Sequence, residues 1–206
     1  VVIAGFIEKA KNIKTESKSK ALTKALEEAF KKLAEPGAER KALIFTESTK
    51  TQAFLKDYLE SHGYAGRIVL FNGKASEPQT NEIYKKWCLE HPDKVSGIKT
   101  ADRRAAAVDY FQHEADIMIA TEAAAEGWNL QFCSLVINYD LPWNPMRIEQ
   151  RIGRIDRRGQ KSEVVHIYNL ITPGTVDADI YERCLLRIGV FENSIGECEE
   201  ILGAIG

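Results

Sequence analysis

Several absences narrow the reading of this 206-residue chain before any motif is considered. No apolar run approaches the roughly 18 residues of a membrane span, and the opening VVIAGFIEKAKNIK has no basic leader ahead of its apolar residues, so no membrane partner is expected. Cys88, Cys133, Cys184 and Cys198 form no CxxC pair and have no histidine at ligand spacing. Neither a zinc site nor a disulfide framework is therefore suggested, and reduced thiols in a cytoplasmic setting are expected. A phosphate-gripping loop of the form GxxxxGK[ST] is missing, because the lone Gly-Lys pair, Gly73-Lys74, runs into alanine. No Asp-Glu pair stands at a strand end to offer a magnesium site. An excess of positive charge is missing too: 28 basic against 30 acidic residues leave −2, with 44% apolar residues, an ordinary globular balance.

What is present alternates. Leu22, Ala25, Leu26, Ala29, Phe30 and Leu33 recur at helical spacing, and Pro36-Gly37 ends that stripe. Ala42 to Thr46 is short and wholly apolar up to its last residue, which suits a strand covered on both faces. Helical spacing returns at Phe54 to Leu59, strand character at Arg67 to Phe71, helical character around Ile83 to Cys88 and Arg103 to Phe111, and strand character at Ile117 to Ala120. Leu135 to Tyr139 and Val164 to Ile171 add two strands, and a helix is expected from about Val176 to Ile188. Strands interleaved with helices predict βαβ units: an α/β layered sandwich of about five strands in a mostly parallel sheet flanked by helices. Residues 74–100 are polar with turn residues at both ends and read as an insertion at the sheet edge.

Ligands of such sheets bind at the carboxyl ends of the strands. Four junctions there carry short donors: Thr46-Glu47-Ser48, Asn72-Gly73, Thr121-Glu122 and Asp140-Leu141-Pro142. Such residues present hydroxyls, amides and backbone N–H groups to phosphate oxygens, and the same residue types also serve as plain helix caps and turns. The segment IATEAAAEGWNL, 119–130, runs from a strand into small residues that let a ligand approach the backbone, with Gly127 permitting close contact and Asn129 offering an amide.

The segment from Glu149 to Gln160, EQRIGRIDRRGQ, is the strongest feature. Counted from Arg147 to Lys161 it holds six basic and two acidic residues, +4 within a chain of −2. If helical, it projects Gln150, Arg154 and Arg157 from one face, while Ile148, Ile152 and Ile155 hold the opposite face in the core. Arginine suits planar, bidentate binding of phosphate and the charge that develops in phosphoryl transfer. A solvated basic helix is the other reading of the same charge run.

ALIFTES at 42–48, ATEAAAEGWNLQ at 120–131, VINYDLPWNP at 136–145 and QRIGRIDRRGQ at 150–160 resemble motifs IV, V and VI of superfamily 2 helicase-like ATPases, with a pattern similar to the Snf-type remodeller branch and its bacterial relatives. The resemblance covers roughly residues 40–172. It implies the second, C-terminal RecA-like lobe, a three-layer sandwich spanning 39–172, with 1–38 as a leading helical segment from an N-terminal lobe and 173–206 as a helical extension. It also implies that this other lobe of a longer parent chain carries most of the ATP and Mg2+ contacts. Residue by residue, Arg154 and Arg157 take the arginine-finger roles at the γ-phosphate, and Gln150 couples nucleotide to lobe closure. Gly127 and Asn129 take the motif V positions nearest the nucleotide. Thr46, Ser48, Asn72, Gly73, Thr121 and Glu122 fall where the family faces the nucleic-acid backbone. Trp128 and Arg158 depart from the family's usual residues at their positions. The implied function is the C-terminal motor lobe of an ATP-dependent translocase acting on nucleic acid, duplex DNA foremost, inactive alone. A RecA-like docking module without catalysis is the alternative.

Overall fold

The computed structural model describes residues 17–33, 39–72, 78–121, 130–172 and 178–179. In chain order the elements are α1 (Ser17–Lys32), β1 (Ala42–Thr46), α2 (Thr49–Leu59), β2 (Ile68–Phe71), α3 (Pro78–Glu90), α4 (Lys99–His113), β3 (Ile117–Thr121), β4 (Leu135–Asn138), α5 (Pro145–Ile152) and β5 (His166–Asn169). The five strands form one sheet in the order β2-β3-β1-β4-β5. Every neighbouring pair is parallel. The parallel α/β sandwich expected from the apolar runs is therefore what forms, and the helical expectation for Val176 to Ile188 lies, but for two residues, outside the described residues.

The central strands are buried along their whole length because the chain supplies apolar residues to both faces. Successive side chains of a strand point to opposite sides, so the core divides by parity. Ile44, Ile119 and Ile137 pack with Leu22, Leu26 and Phe30 of α1 and with Leu55 and Leu59 of α2. Leu43, Phe45, Met118 and Val136 turn the other way, onto Ala107 and Phe111 of α4 and onto Leu130, Phe132 and Ile155. Two helical layers thus enclose one sheet.

The ends of the sheet are finished by polar side chains. Within the polar stretch 74–100, α3 lies along the open side of β2: the Gln79 amide donates to Ile68 O at 2.9 Å and the Thr80 hydroxyl reaches Leu70 O at 3.5 Å. These bonds cover carbonyls that a bare edge strand would leave available for pairing. Trp87 of α3 is buried, and Arg103 of α4 holds Asn81 at 2.7 Å. No described helix is long and apolar enough to cross a membrane.

Candidate nucleotide and nucleic-acid site

The carboxyl ends of β1 and β4 lie side by side and are tied together by one carboxylate. Asp140 Oδ2 accepts from the Thr46 hydroxyl at 2.5 Å and from the Glu47 amide at 3.1 Å. Its other oxygen meets Lys18 Nζ of α1 at 3.6 Å, and that ammonium also lies 5.0 Å over the Tyr139 ring. Thr46 is therefore buried with its hydroxyl turned to Asp140. Ser48, two residues on, caps α2, its Oγ accepting from Lys50 N at 3.2 Å. The first turn of α2 thereby opens toward the same edge with its positive dipole end.

The ends of β2 and β3 are joined by Gln52, a residue to which the sequence reading assigned no role. Wholly buried on α2, its amide donates to Phe71 O at 3.1 Å and to Ile119 O at 2.7 Å, and its Oε1 accepts from Asn72 Nδ2 at 3.2 Å. Asn72 is thus oriented at the strand end, and Thr121 ends β3 as a buried residue. Gly73, Glu122, Gly127, Trp128 and Asn129 lie outside the described residues.

The arginine segment departs from the helical expectation. Asn144 caps α5, accepting from Met146 N at 3.1 Å, and Pro145 supplies a φ suited to the first turn. The helix then stops at Ile152 with Gly153 as its C-cap. Arg154 and Arg157 consequently stand on a turn beyond the helix, while Gln150 stays on it, and the three do not share one helical face. The physical reason lies in glycine and in competing bonds. Gly159 adopts φ 103°, a conformation costly for a side-chain-bearing residue. Gln160 donates to Ile155 O and to Cys133 O, each at 2.9 Å, and Gln131 donates to Arg158 O at 2.5 Å. These tertiary bonds hold carbonyls that a continuing helix would have used. Ile148 and Ile155 are buried as expected, Ile152 partly so.

The arginines differ sharply in environment. Arg157 is exposed, with Nε donating to Gly153 O at 2.7 Å. Arg154 is half-buried, and its guanidinium makes no hydrogen bond or ion pair among the described residues. Arg151, which no motif argument singled out, is 2% exposed. It donates to Asn138 Oδ1 and Asp140 O, both at 2.8 Å, and stacks 4.9 Å over the Phe45 ring. A turn carrying one exposed and one half-buried guanidinium group is suited to a multiply charged anion delivered from outside the chain. Among the described residues no group of three His, Cys, Asp or Glu side chains is placed to hold a metal ion.

Residues 89–159 match the helicase conserved C-terminal domain. The uncharacterized ATP-dependent helicase YqhH of Bacillus subtilis is 41% identical over 165 residues, which cover 80% of this chain and 25% of that protein. The chain belongs to the superfamily 2 helicase-like ATPases. It is their C-terminal RecA-like lobe, in the Snf-type branch. The human DNA repair and recombination protein RAD54B is 32% identical over 164 residues, 74% of this chain and 18% of its own length. The RNA polymerase-associated protein RapA of Vibrio campbellii is 42% identical over 74 residues, 34% of this chain and 8% of its own. In fold, the lobe is similar to the C-terminal part of the Fun30 ATPase domain, with a TM-score of 0.58 and 22% identity over 82% of this chain and 45% of that one. Dbp5 of S. cerevisiae, bound to RNA and ADP BeF3, gives 0.56 and 22% over 84% and 36%. The chain spans about a quarter of the length of the Bacillus relative and less of the other two curated relatives.

Within this helicase lobe, three contributors escaped the motif reading. Gln52 and Arg151 escaped because their value lies in being buried, which a polar letter in a helical run does not announce. Trp143 is the third: it belongs to the recognised string DLPWNP yet stands 73% exposed between two prolines, beside exposed Met146. An aromatic left in water on the carboxyl side of a sheet is the signal that would have marked it.

Proposed function

We propose that this lobe is the C-terminal half of an ATP-dependent nucleic-acid translocase and supplies the cations that complete ATP hydrolysis. Arg154 and Arg157 act as arginine fingers on the γ-phosphate, and Gln150, at the base of their turn, links nucleotide to lobe closure. Gly127 and Asn129 line the nucleotide side. An N-terminal RecA-like lobe of the same parent chain holds the phosphates and Mg2+. ATP with its metal supplies the phosphoryl group, and the arginines neutralise charge that grows on it as it transfers.

The track for nucleic acid runs along the strand ends. Ser48, Asn72, Gly73, Thr121 and Glu122 face the backbone, the α2 N-terminus offers N–H groups to phosphate, and Thr46 shapes the loop through Asp140. Exposed Trp143 gives the track an apolar surface. Contacts of this kind position a backbone without reading bases, so binding is salt-dependent and non-specific. The family branch favours movement along duplex DNA in a cytoplasmic setting.

One observation carries the reading. The turn that carries Arg154 and Arg157 is held at the Ile155 and Arg158 carbonyls by Gln160 and Gln131, yet Arg157 is left exposed and Arg154 only half-buried. A docking module without catalysis has no use for that arrangement. The test is phosphate release by the intact parent protein with single-stranded DNA, duplex DNA and RNA as stimulants. Turnover stimulated most by duplex DNA is expected. Nucleic-acid binding without any ATP turnover would leave the docking alternative.

A further inference from the structure

Arg151 links two parts of the lobe that the proposed mechanism requires to communicate. Through its backbone carbonyl it accepts from Arg154 N at 3.1 Å, so it forms the foot of the finger turn. Through its side chain it reaches the end of the neighbouring strands: Nη1 donates to Asp140 O and to Asn138 Oδ1, each at 2.8 Å, and the guanidinium lies over Phe45, the residue before Thr46. Asp140 then passes the contact on through its carboxylate, to the Thr46 hydroxyl at 2.5 Å and the Glu47 amide at 3.1 Å, at the loop where Ser48 starts α2. Lys18, from the first turn of α1, reaches the same carboxylate at 3.6 Å.

The Arg151 guanidinium, 2% exposed, is costly to desolvate, and a methionine or leucine would fill its place with less penalty if packing were the whole purpose. What an apolar residue cannot do is hydrogen-bond, through Nη1, both the Asn138 side chain at the end of β4 and the Asp140 carbonyl just beyond it. Displacement of the finger turn therefore drags the end of β4, and with it the Thr46–Ser48 loop. Loop displacement likewise pulls on the turn.

Resting on the reading proposed above, we infer that Arg151 is a positioning residue that couples the arginine-finger turn to the nucleic-acid track through Asp140, so that it governs stimulation by nucleic acid more than the chemical step itself. A coupling of this kind is reciprocal in binding: nucleic acid bound at the loop sets the turn, and a nucleotide engaged by the turn sets the loop.

The experiment uses the intact parent protein and compares ATP turnover with and without saturating duplex DNA in wild type, Arg151→Met and Arg151→Lys. Methionine keeps the packing on Phe45 and removes every donor; lysine keeps the charge and a donor but loses the planar guanidinium that lies over Phe45. The expected result is basal turnover close to wild type in both, with the stimulated-to-basal ratio down about tenfold in the methionine variant and partly recovered with lysine. Parallel loss of basal and stimulated turnover, or an unchanged ratio, would overturn the inference, since a purely structural residue lowers both together. If the methionine variant fails to give a cooperative melting transition, the lysine variant is judged by the same ratio, and an unchanged ratio there overturns the inference. Wild type without any stimulation by nucleic acid would instead sink the functional reading on which this one stands.

Discussion

Replacing Arg154 by alanine in the parent protein separates catalysis from folding more cleanly than any other change at the site. The guanidinium is half-buried and, among the described residues, makes no hydrogen bond or ion pair, so its removal breaks nothing that holds the lobe together. The turn itself is fixed by backbone bonds and by Gln131 and Gln160, which the substitution leaves in place. Stability should therefore change by no more than about 0.5 kcal/mol, the usual range for a surface substitution. An arginine finger in phosphoryl transfer is worth about 10³- to 10⁵-fold in turnover. At about 1.36 kcal/mol per decade, that is roughly 4–7 kcal/mol of barrier. The expected pattern is a collapse in kcat with an unaltered melting transition and little change in nucleotide affinity. Steady-state phosphate release at saturating ATP, with thermal melting of the same preparation, measures both. Retention of kcat within about tenfold would refute the assignment, because an effect that small falls well below what a finger supplies. Arg151→Ala is the instructive contrast: it leaves Asn138 Oδ1 and Asp140 O without their donor, at about 1–3 kcal/mol each, and should lower the melting temperature while basal turnover per folded molecule stays close to wild type.

Three further outcomes follow from the same geometry. Gln52→Ala removes an amide that bridges two strand-end carbonyls and should destabilise the lobe by about 1–3 kcal/mol in denaturant titrations; a change under about 0.5 kcal/mol would mean the bridge contributes little. Gly159→Ala forces a side chain into φ 103° and brings its Cβ to 3.1 Å from Gln131, so about 1–3 kcal/mol of strain should appear, with turnover of the parent protein falling beyond the loss of folded material. Wild-type turnover per folded molecule in that variant would show that the turn's exact placement does not matter. Cys133 is wholly buried, and burial pushes its thiol up to about 12, so alkylation at pH 8 should modify it only after denaturation. Native labelling at the denatured rate would contradict that burial.

The β1, β3 and β4 segments were legible because short runs that are apolar up to their last residue have few alternatives to a strand buried on both faces. The α1 stripe was legible because its apolar positions repeat at the helical period over three turns. Motif strings placed Arg154, Arg157 and Gln150 in one segment but misjudged its shape. Helical spacing cannot foresee that Gln160 and Gln131, the latter 27 residues upstream of Arg158, will take the carbonyls of the turn. Thr46 and Ser48 illustrate the same limit: their chemistry suits phosphate, yet a hydroxyl beside Asp140 and a cap on α2 are contacts only the assembled strand ends define.

Local pattern alone thus determined which stretches are strand or helix and which carry charge, since periodicity and residue chemistry are properties of neighbours in the chain. Tertiary structure decided the strand order, the end of α5 before Arg154 and Arg157, and the burial of Arg151 while Arg154 is half-buried and Arg157 exposed. Those outcomes rest on contacts between residues far apart in sequence, where the desolvation of a guanidinium and the competition for a carbonyl are settled by what packs against them.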